Sequence, residues 1–529
     1  MYIYLNYTYI LNNLKVIMLF NSHLFIFLFL PLTLTIFHLL SKYKLKKFKL
    51  DFLIFASLFF YSWWNPKYLL LLLGSILFNY IIGKVIASSR SKFKLVFGIL
   101  FNLFIIGYYK YSNFFLENIN VILEKNNVLE TIILPLGISY FTFQQITYLV
   151  DCFLGKVSEH NLKRYFLYVS FFPQIISGPI IRHDFMMPQI VNEINKDFNI
   201  NNLNIGLTTF IIGLFKKVVI ADNLALYANP VFNLAESGYV LNFFDAWAGA
   251  LTYAFQIYFD FSGYMDMALG IGLMFGIVLP INFFSPFKAK NISEFWMCWH
   301  VTLSNLARNY LYFPLSIFFS RKAIENNYGT YKFFFLSLIV PTLISFSLIG
   351  LWHGAAWNFI IFGVINGFYI IIYNLWVATK KKYKISEKTS FIKNLISQFI
   401  TFISIVIALI FFRAQNLEGS WNFIKSIFGF GNFDLLNIFQ IGIFDLKPYT
   451  GITWLVLCSI IVFLMPNTQE SVFQSAKNDF NKQNMLRKKK SIINFKWKPN
   501  LLWLTISLIL FVSSILSLNN ESEFIYLQF

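Results

Sequence analysis

Uncharged apolar runs recur from one end of this 529-residue chain to the other, and they restrict what it can fold into. Between Leu395 and Phe412, for instance, no side chain carries a charge. Such a run approaches the roughly 20 residues a helix needs to cross the hydrocarbon of a bilayer. In hydrocarbon, every backbone N–H and C=O must be satisfied internally, so helices are the default, and the runs are too long for barrel strands. The composition agrees: 57% hydrophobic, 20% aromatic and 13% charged lies far from the profile of a soluble domain. The expected fold is all-α, a polytopic membrane protein with roughly 11–13 transmembrane helices.

The apolar runs predict helices over 23–40, 51–64, 67–87, 95–115, 164–180, 205–228, 246–277, 302–319, 332–350, 356–378, 395–413, 450–465 and 500–517. Trp63-Trp64-Asn65-Pro66 reads as a tight turn between two of them. Four segments pair helix breakers with apolar residues: Leu134 to Ser139, Phe171 to Gln174, Ser177 to Pro179 and Asn282 to Pro286. Irregular backbone at membrane depth is tolerated only inside protein or along a wet cavity, so the breaks predict re-entrant segments around a central pocket. A transporter would use the same architecture. The expected organisation is one domain over 18–529. Residues 1–17 are expected to be a mis-assigned or disordered extension, because the first membrane helix begins soon after Met18.

The formal charge of +19 gathers in short loops: Lys42 to Lys49, Lys84 to Lys94, Lys380 to Lys393 and Arg487 to Lys498. Positive loops between apolar runs face the cytoplasm in multi-pass proteins, so this charge implies a lipid bilayer and not nucleic acid. The expected location is an inner (cytoplasmic) membrane, crossed many times. Cys152, Cys298 and Cys458 have no paired spacing and read as packing residues.

Two histidines have unusual surroundings. His353 lies in Gly350-Leu351-Trp352-His353-Gly354 within an apolar run, where a titratable ring costs free energy unless it is satisfied or used. Imidazole titrates near neutral pH and can accept and return a proton. Trp352 and Trp357 around it, with Gly350 and Gly354, would let a substrate approach while excluding water. A helix-packing histidine bonded to a backbone carbonyl would look the same in sequence. His300 follows a break at Ser293 and reads as a residue at an interface or pocket rim. The stretch Gln256 to Asp266 is dense in polar groups, and Gln256, Asp260 and Asp266 fit either substrate contacts or a structural network. Trp299, Trp352 and Asn358 beside the histidines are further candidate substrate contacts. Lys216 and Lys217 could attract a phosphate or coenzyme, or snorkel to the interface. No GxSxG elbow, HExxH, P-loop or dinucleotide fingerprint is present, and no metal site is expected. A histidine base without a protein nucleophile suits direct transfer of an acyl group to a hydroxyl.

In order along the chain, Leu134 to Ser139, Phe172-Pro173-Gln174 with Gly178-Pro179, Lys216-Lys217 through Asn223 and Gln256 to Asp266 form a linked set of motifs. It continues through Leu279 to Phe283, Trp299 to Ser304, Leu351 to Gly354, Phe411 to Gln415 and the ending Glu523 to Phe529. This set resembles the membrane-bound O-acyltransferase family, in its bacterial alginate O-acetyltransferase-like branch, which implies a bacterial inner membrane. The resemblance implies that His353 is catalytic and His300 is the second active-site histidine. It implies acetyl-CoA as a cytoplasmic acyl donor, with no bound cofactor. It also implies a polysaccharide acceptor, alginate-like or peptidoglycan, reached through an extracytoplasmic SGNH-type acetyltransferase partner. D-alanyl transfer to teichoic acid and a non-enzymatic transporter or flippase are the alternatives. The chain departs from the family pattern at Met297 and Cys298, where two basic residues are usual, at Asn309, where Asp is usual, and at Asn366, where His is common.

Overall fold

A computed structural model describes residues 18–124, 132–157, 160–192, 196–384, 390–431, 448–473 and 495–518, with a few isolated positions beside these segments. The expectation for residues 1–17 therefore lies outside the described residues. Among the described residues the regular structure is entirely helical. Among the described residues, seven helices are long and apolar enough to cross a membrane, and two shorter apolar ones, Thr450–Leu464 and Leu501–Leu516, accompany them. The protein is a multi-pass, all-α membrane protein.

The residues group into two compact units whose segments alternate along the chain. Of the described residues, the first takes in those within 18–214, 266–280 and 511–525. Its helices are α1 (Phe25–Lys42), α2 (Lys49–Trp64), α3 (Pro66–Ser89), α4 (Lys92–Leu123), α5 (Ile138–Phe153), α6 (Leu162–Ser170), α7 (His183–Asn192) and the start of α8 (Ile200–Glu236). The expected turn before α3 is present. Asn65 leaves helical geometry, its side chain accepts the backbone N–H of Lys67, and Pro66 opens the next helix. Two amides fasten α3 to α4: Asn79 Nδ2 donates to Asn102 Oδ1 at 3.1 Å, and Asn102 Nδ2 returns a bond to Asn79 Oδ1 at 2.7 Å.

Helix α5 was absent from the sequence expectation. Its residues alternate apolar and polar groups (Thr142, Gln144, Gln145, Thr147), which hides a buried helix from any search for apolar runs. The expected helix over 164–180 is broken at Phe171, whose backbone leaves helical geometry (φ −50°, ψ 113°) just ahead of Pro173. Each of the four segments expected to be irregular contains non-helical backbone, at 132–137, 171, 176–182 and 275–285.

The second unit takes in residues 215–265 and 281–510. It holds the remainder of α8, most of α9 (Phe243–Met274), the short α10 (Ile292–Trp296) and α11 (Val301–Ala307). It also holds α12 (Thr330–His353), α13 (Trp357–Lys382), α14 (Phe391–Arg413), α15 (Leu417–Ile427) and α16 (Pro448–Leu464). Both histidines of interest belong to this unit.

Candidate functional site

His353 is the last residue of α12, and Gly354 in extended conformation ends the helix. The helix reaches this point pressed against α13. A Cβ on Gly350 would lie 2.1 Å from the carbonyl oxygen of Phe359, and one on Gly363 would lie 2.2 Å from that of Phe346. Only glycine permits backbones this close. Gly354 likewise faces the Phe359 ring. The glycines expected to admit a substrate to His353 are therefore filled by α13 itself, and Trp357 is exposed rather than a wall of the site. Asn358 Nδ2 donates to the carbonyl of Ala414 at 2.6 Å, tying the start of α13 to the end of α14. That tie brings Phe412 onto His353, with ring centroids 5.1 Å apart, and Phe362 lies at 6.2 Å. His353 is 4% exposed.

His300 sits in the left-handed region, φ +42°, immediately before α11. A non-glycine residue there is strained, and such strain persists only where the surroundings impose it. Here Asn282 imposes it. Its carbonyl accepts the N–H of Val301 at 3.0 Å, and its side-chain Oδ1 accepts that of Thr302 at 2.8 Å. The N–H of Phe284 also donates to the carbonyl of Cys298. His300 is 1% exposed, so it is a buried group and not the rim residue the sequence suggested. The aromatic cover explains this: Phe261 meets the imidazole edge-on at 4.9 Å and Trp352 lies at 6.1 Å. Trp352 also contacts His353, centroids 4.9 Å apart. The two histidines thus share one indole.

Trp299 is buried against Phe283 at 4.9 Å and Phe295 at 5.6 Å, with Tyr258 at 6.4 Å. Gln256 is buried, and its Oε1 has no hydrogen-bond partner among the described residues. Asp260 is engaged elsewhere: its Oδ1 takes Nζ of Lys217 at 2.8 Å, and Lys217 also reaches Asp222 at 2.9 Å. Lys217 is 2% exposed, which corrects both readings of it as a phosphate contact or a snorkelling cation. Its neighbour Lys216 donates to Thr468 Oγ1 at 2.8 Å. Asp266 is buried. Sequence reasoning missed the roles of Asn282, Phe261 and Phe412. Only Asn282 carried a usable signal, an amide inside a Pro- and aromatic-rich break.

The described residues hold no group of three His, Cys, Asp or Glu side chains able to bind a metal. What the second unit offers is two enclosed imidazoles, suited to proton transfer in a dry setting.

Residues 97–413 match the membrane-bound O-acyltransferase family. The chain belongs to this family. It is 41% identical to the peptidoglycan O-acetyltransferase of Helicobacter pylori, over 80% of this chain and 82% of the relative. It is 35% identical to a Pseudomonas aeruginosa protein named "Probable alginate O-acetylase AlgI", over 79% of this chain and 76% of that one. It is 28% identical to the teichoic acid D-alanyltransferase of Streptococcus thermophilus, over 52% of this chain and 68% of the relative. The protein is therefore an acyltransferase embedded in a membrane, and His353 and His300 both lie inside the matched span.

Proposed function

We propose that this acyltransferase moves an acetyl group from acetyl-CoA, bound from the cytoplasm, towards hydroxyls of a cell-envelope glycan. The observation that carries the reading is the shared indole: the Trp352 ring has its centroid 4.9 Å from that of His353 and 6.1 Å from that of His300, so both imidazoles belong to one aromatic setting. His353 takes the proton of the acceptor hydroxyl as its oxygen attacks the thioester carbonyl. The new C–O bond forms, the C–S bond breaks, and the departing thiolate recovers the proton from the imidazolium. Proton transfer of this kind contributes about 10²–10⁴-fold. His300 orients the acceptor or steadies charge developing on the carbonyl. Trp352 and Trp299 shield the reaction from water, and Gln256 is a polar contact for substrate. Asp260 and Asn358, which are engaged with Lys217 and Ala414, act by holding their helices in place. Asp266 remains a candidate polar contact on the strength of its sequence setting alone.

Peptidoglycan is the favoured acceptor, because the relative named for it is more similar to this chain than the one named for alginate. An inner-membrane location fits a cytoplasmic donor, and an SGNH-type acetyltransferase outside the membrane completes delivery. The weaker, partial similarity to a D-alanyltransferase makes D-alanyl transfer the lesser reading. The test compares ester-linked acetate on purified envelope glycans from cells with the gene, without it, and with His353→Ala. Acetate should disappear in the last two. Full acetylation by a normally inserted His353→Ala protein would refute the assignment.

A further inference from the structure

We infer that Lys217 and Asp260 are positioning residues for acyl transfer, acting on His300 through Phe261. The inference rests on the proposed role of His300 in the active site.

Three observations on α8 and α9 carry it. First, a charged pair is buried where it is costly to keep: both side chains are 2% exposed, and their Nζ–Oδ1 distance is 2.8 Å. Such a pair is weak evidence for stability, because desolvation offsets most of the attraction, and apolar residues of similar volume would often serve as well. Its use is to fix geometry. Second, the chain departs from α-helical geometry to build it. Residues Lys216–Ala221 form a π-helical turn, and Lys217 then meets Asp222, five residues later, at 2.9 Å. In a regular α-helix the neighbour one turn on is three or four residues away, and π turns concentrate at functional sites. Third, the residue after Asp260 is Phe261, whose ring meets the His300 imidazole edge-on at 4.9 Å. Anchoring Asp260 sets the rotation of α9 about its axis, and that rotation sets where the Phe261 edge falls.

Both the backbone and the ring of His300 are held from outside. Its backbone is held in a left-handed conformation by Asn282 on one side, and Phe261 and Trp352 bound its ring. A small turn of α9 would therefore be felt at the imidazole, and a misplacement of about 1 Å can cost about 10²-fold in rate. Neither Lys217 nor Asp260 needs to touch a substrate for this.

The test uses the full-length protein in detergent or nanodiscs, with thiol release from acetyl-CoA in the presence of acceptor glycan as the readout. Asp260→Asn should lower kcat by about 10- to 100-fold with KM for either substrate within about twofold. Lys217→Arg, which keeps the pair, should restore most of the rate lost in Lys217→Met. The routing is checked with Phe261→Leu: in that background Asp260→Asn should change kcat by less than about twofold, since coupled residues are non-additive. If Asp260→Asn lowers kcat by the same factor with and without Phe261, or lowers it only in step with the amount of folded protein, the inference is wrong. Should Asp260→Asn fail to insert, Asp260→Glu keeps the charge while displacing it; an unchanged kcat in that variant would equally overturn the proposal. His300→Ala separates the two claims. If it is fully active, the reading of His300 fails; if it is inactive while Asp260→Asn and Asp260→Glu behave as wild type, only the positioning role fails.

Discussion

Each unit buries a polar pair between two of its helices, and the pairs differ in kind. In the first unit Asn79 and Asn102 exchange two neutral hydrogen bonds, and each amide also donates back to its own helix, to Ser75 and Gly98. In the second unit Lys217 meets Asp260 and Asp222 as formal charges. The amide pair is complete in itself and costs little beyond desolvating groups that are then satisfied. The charged cluster is costly to bury and becomes worse than useless if one member is lost. A chain that needs only to hold helices together can use amides. The second unit, which contains both histidines, holds its helices with charges.

The sharpest way to break that contrast is at His353. His353→Ala should lower acetyl transfer by about 10²–10⁴-fold while leaving the amount of folded protein unchanged. No single change in the Asn79–Asn102 pair should do so at equal folded concentration. Next in size, Asp260→Asn should destabilise the detergent-solubilised protein by about 3–5 kcal/mol, read as a fall in the melting midpoint, because Lys217 is then left in a buried setting with less compensation. Gly363→Ala should cost about 1–3 kcal/mol, since the new methyl group meets the Phe346 carbonyl and the backbones of α12 and α13 must part. Asn79→Leu alone should cost a similar 1–3 kcal/mol, whereas Asn79→Leu with Asn102→Leu should return close to wild type. Recovery of that kind in the amide double variant, and a loss of turnover in Lys217→Met with Asp260→Leu despite recovered stability, would confirm the difference between the two pairs.

The smallest expected effect is a pH dependence in the first unit. His183 is buried among aromatic rings, with Tyr148 and Tyr168 centroids at 5.3 and 5.4 Å. Burial pushes its imidazole down to about 4, only partly countered by Asp184. The unfolded chain, titrating near about 6.5, binds the proton more readily across that interval. Stability is therefore fully present above about pH 6.5 and falls as the pH drops towards 4. His183→Gln should flatten the midpoint-against-pH curve over this range, and an unchanged slope would remove His183 as its source.

The membrane class was legible in the sequence because apolar runs long enough to span a bilayer leave few alternatives. Trp63 to Pro66 was legible for a different reason, since Asn and Pro side chains act on their own backbone within two residues. Helix α5 was not, because Gln144, Gln145 and Thr147 are buried by contacts with distant segments: Gln145 Nε2 donates to Ser75 Oγ and Gln144 Nε2 to the carbonyl of Tyr168. Local pattern cannot reveal a partner seventy residues away. At the site, the two histidines stood out because imidazoles are scarce in apolar surroundings. The conformation of His300 did not, since it depends on Asn282 across a break, and Lys217 was misread because one of its two carboxylate partners, Asp260, lies on another helix.

The π turn at Lys216–Ala221 also bears on how this region can change. A turn of that kind holds one more residue than an α-helix would need, so deleting a single residue there would leave a regular α-helix whose faces on either side stay in register. Arg413, which grips Asn229 at 3.0 Å, would keep its partner. What would be lost is the five-residue approach of Lys217 to Asp222, so a deletion here would spare the helix and dismantle the charged cluster.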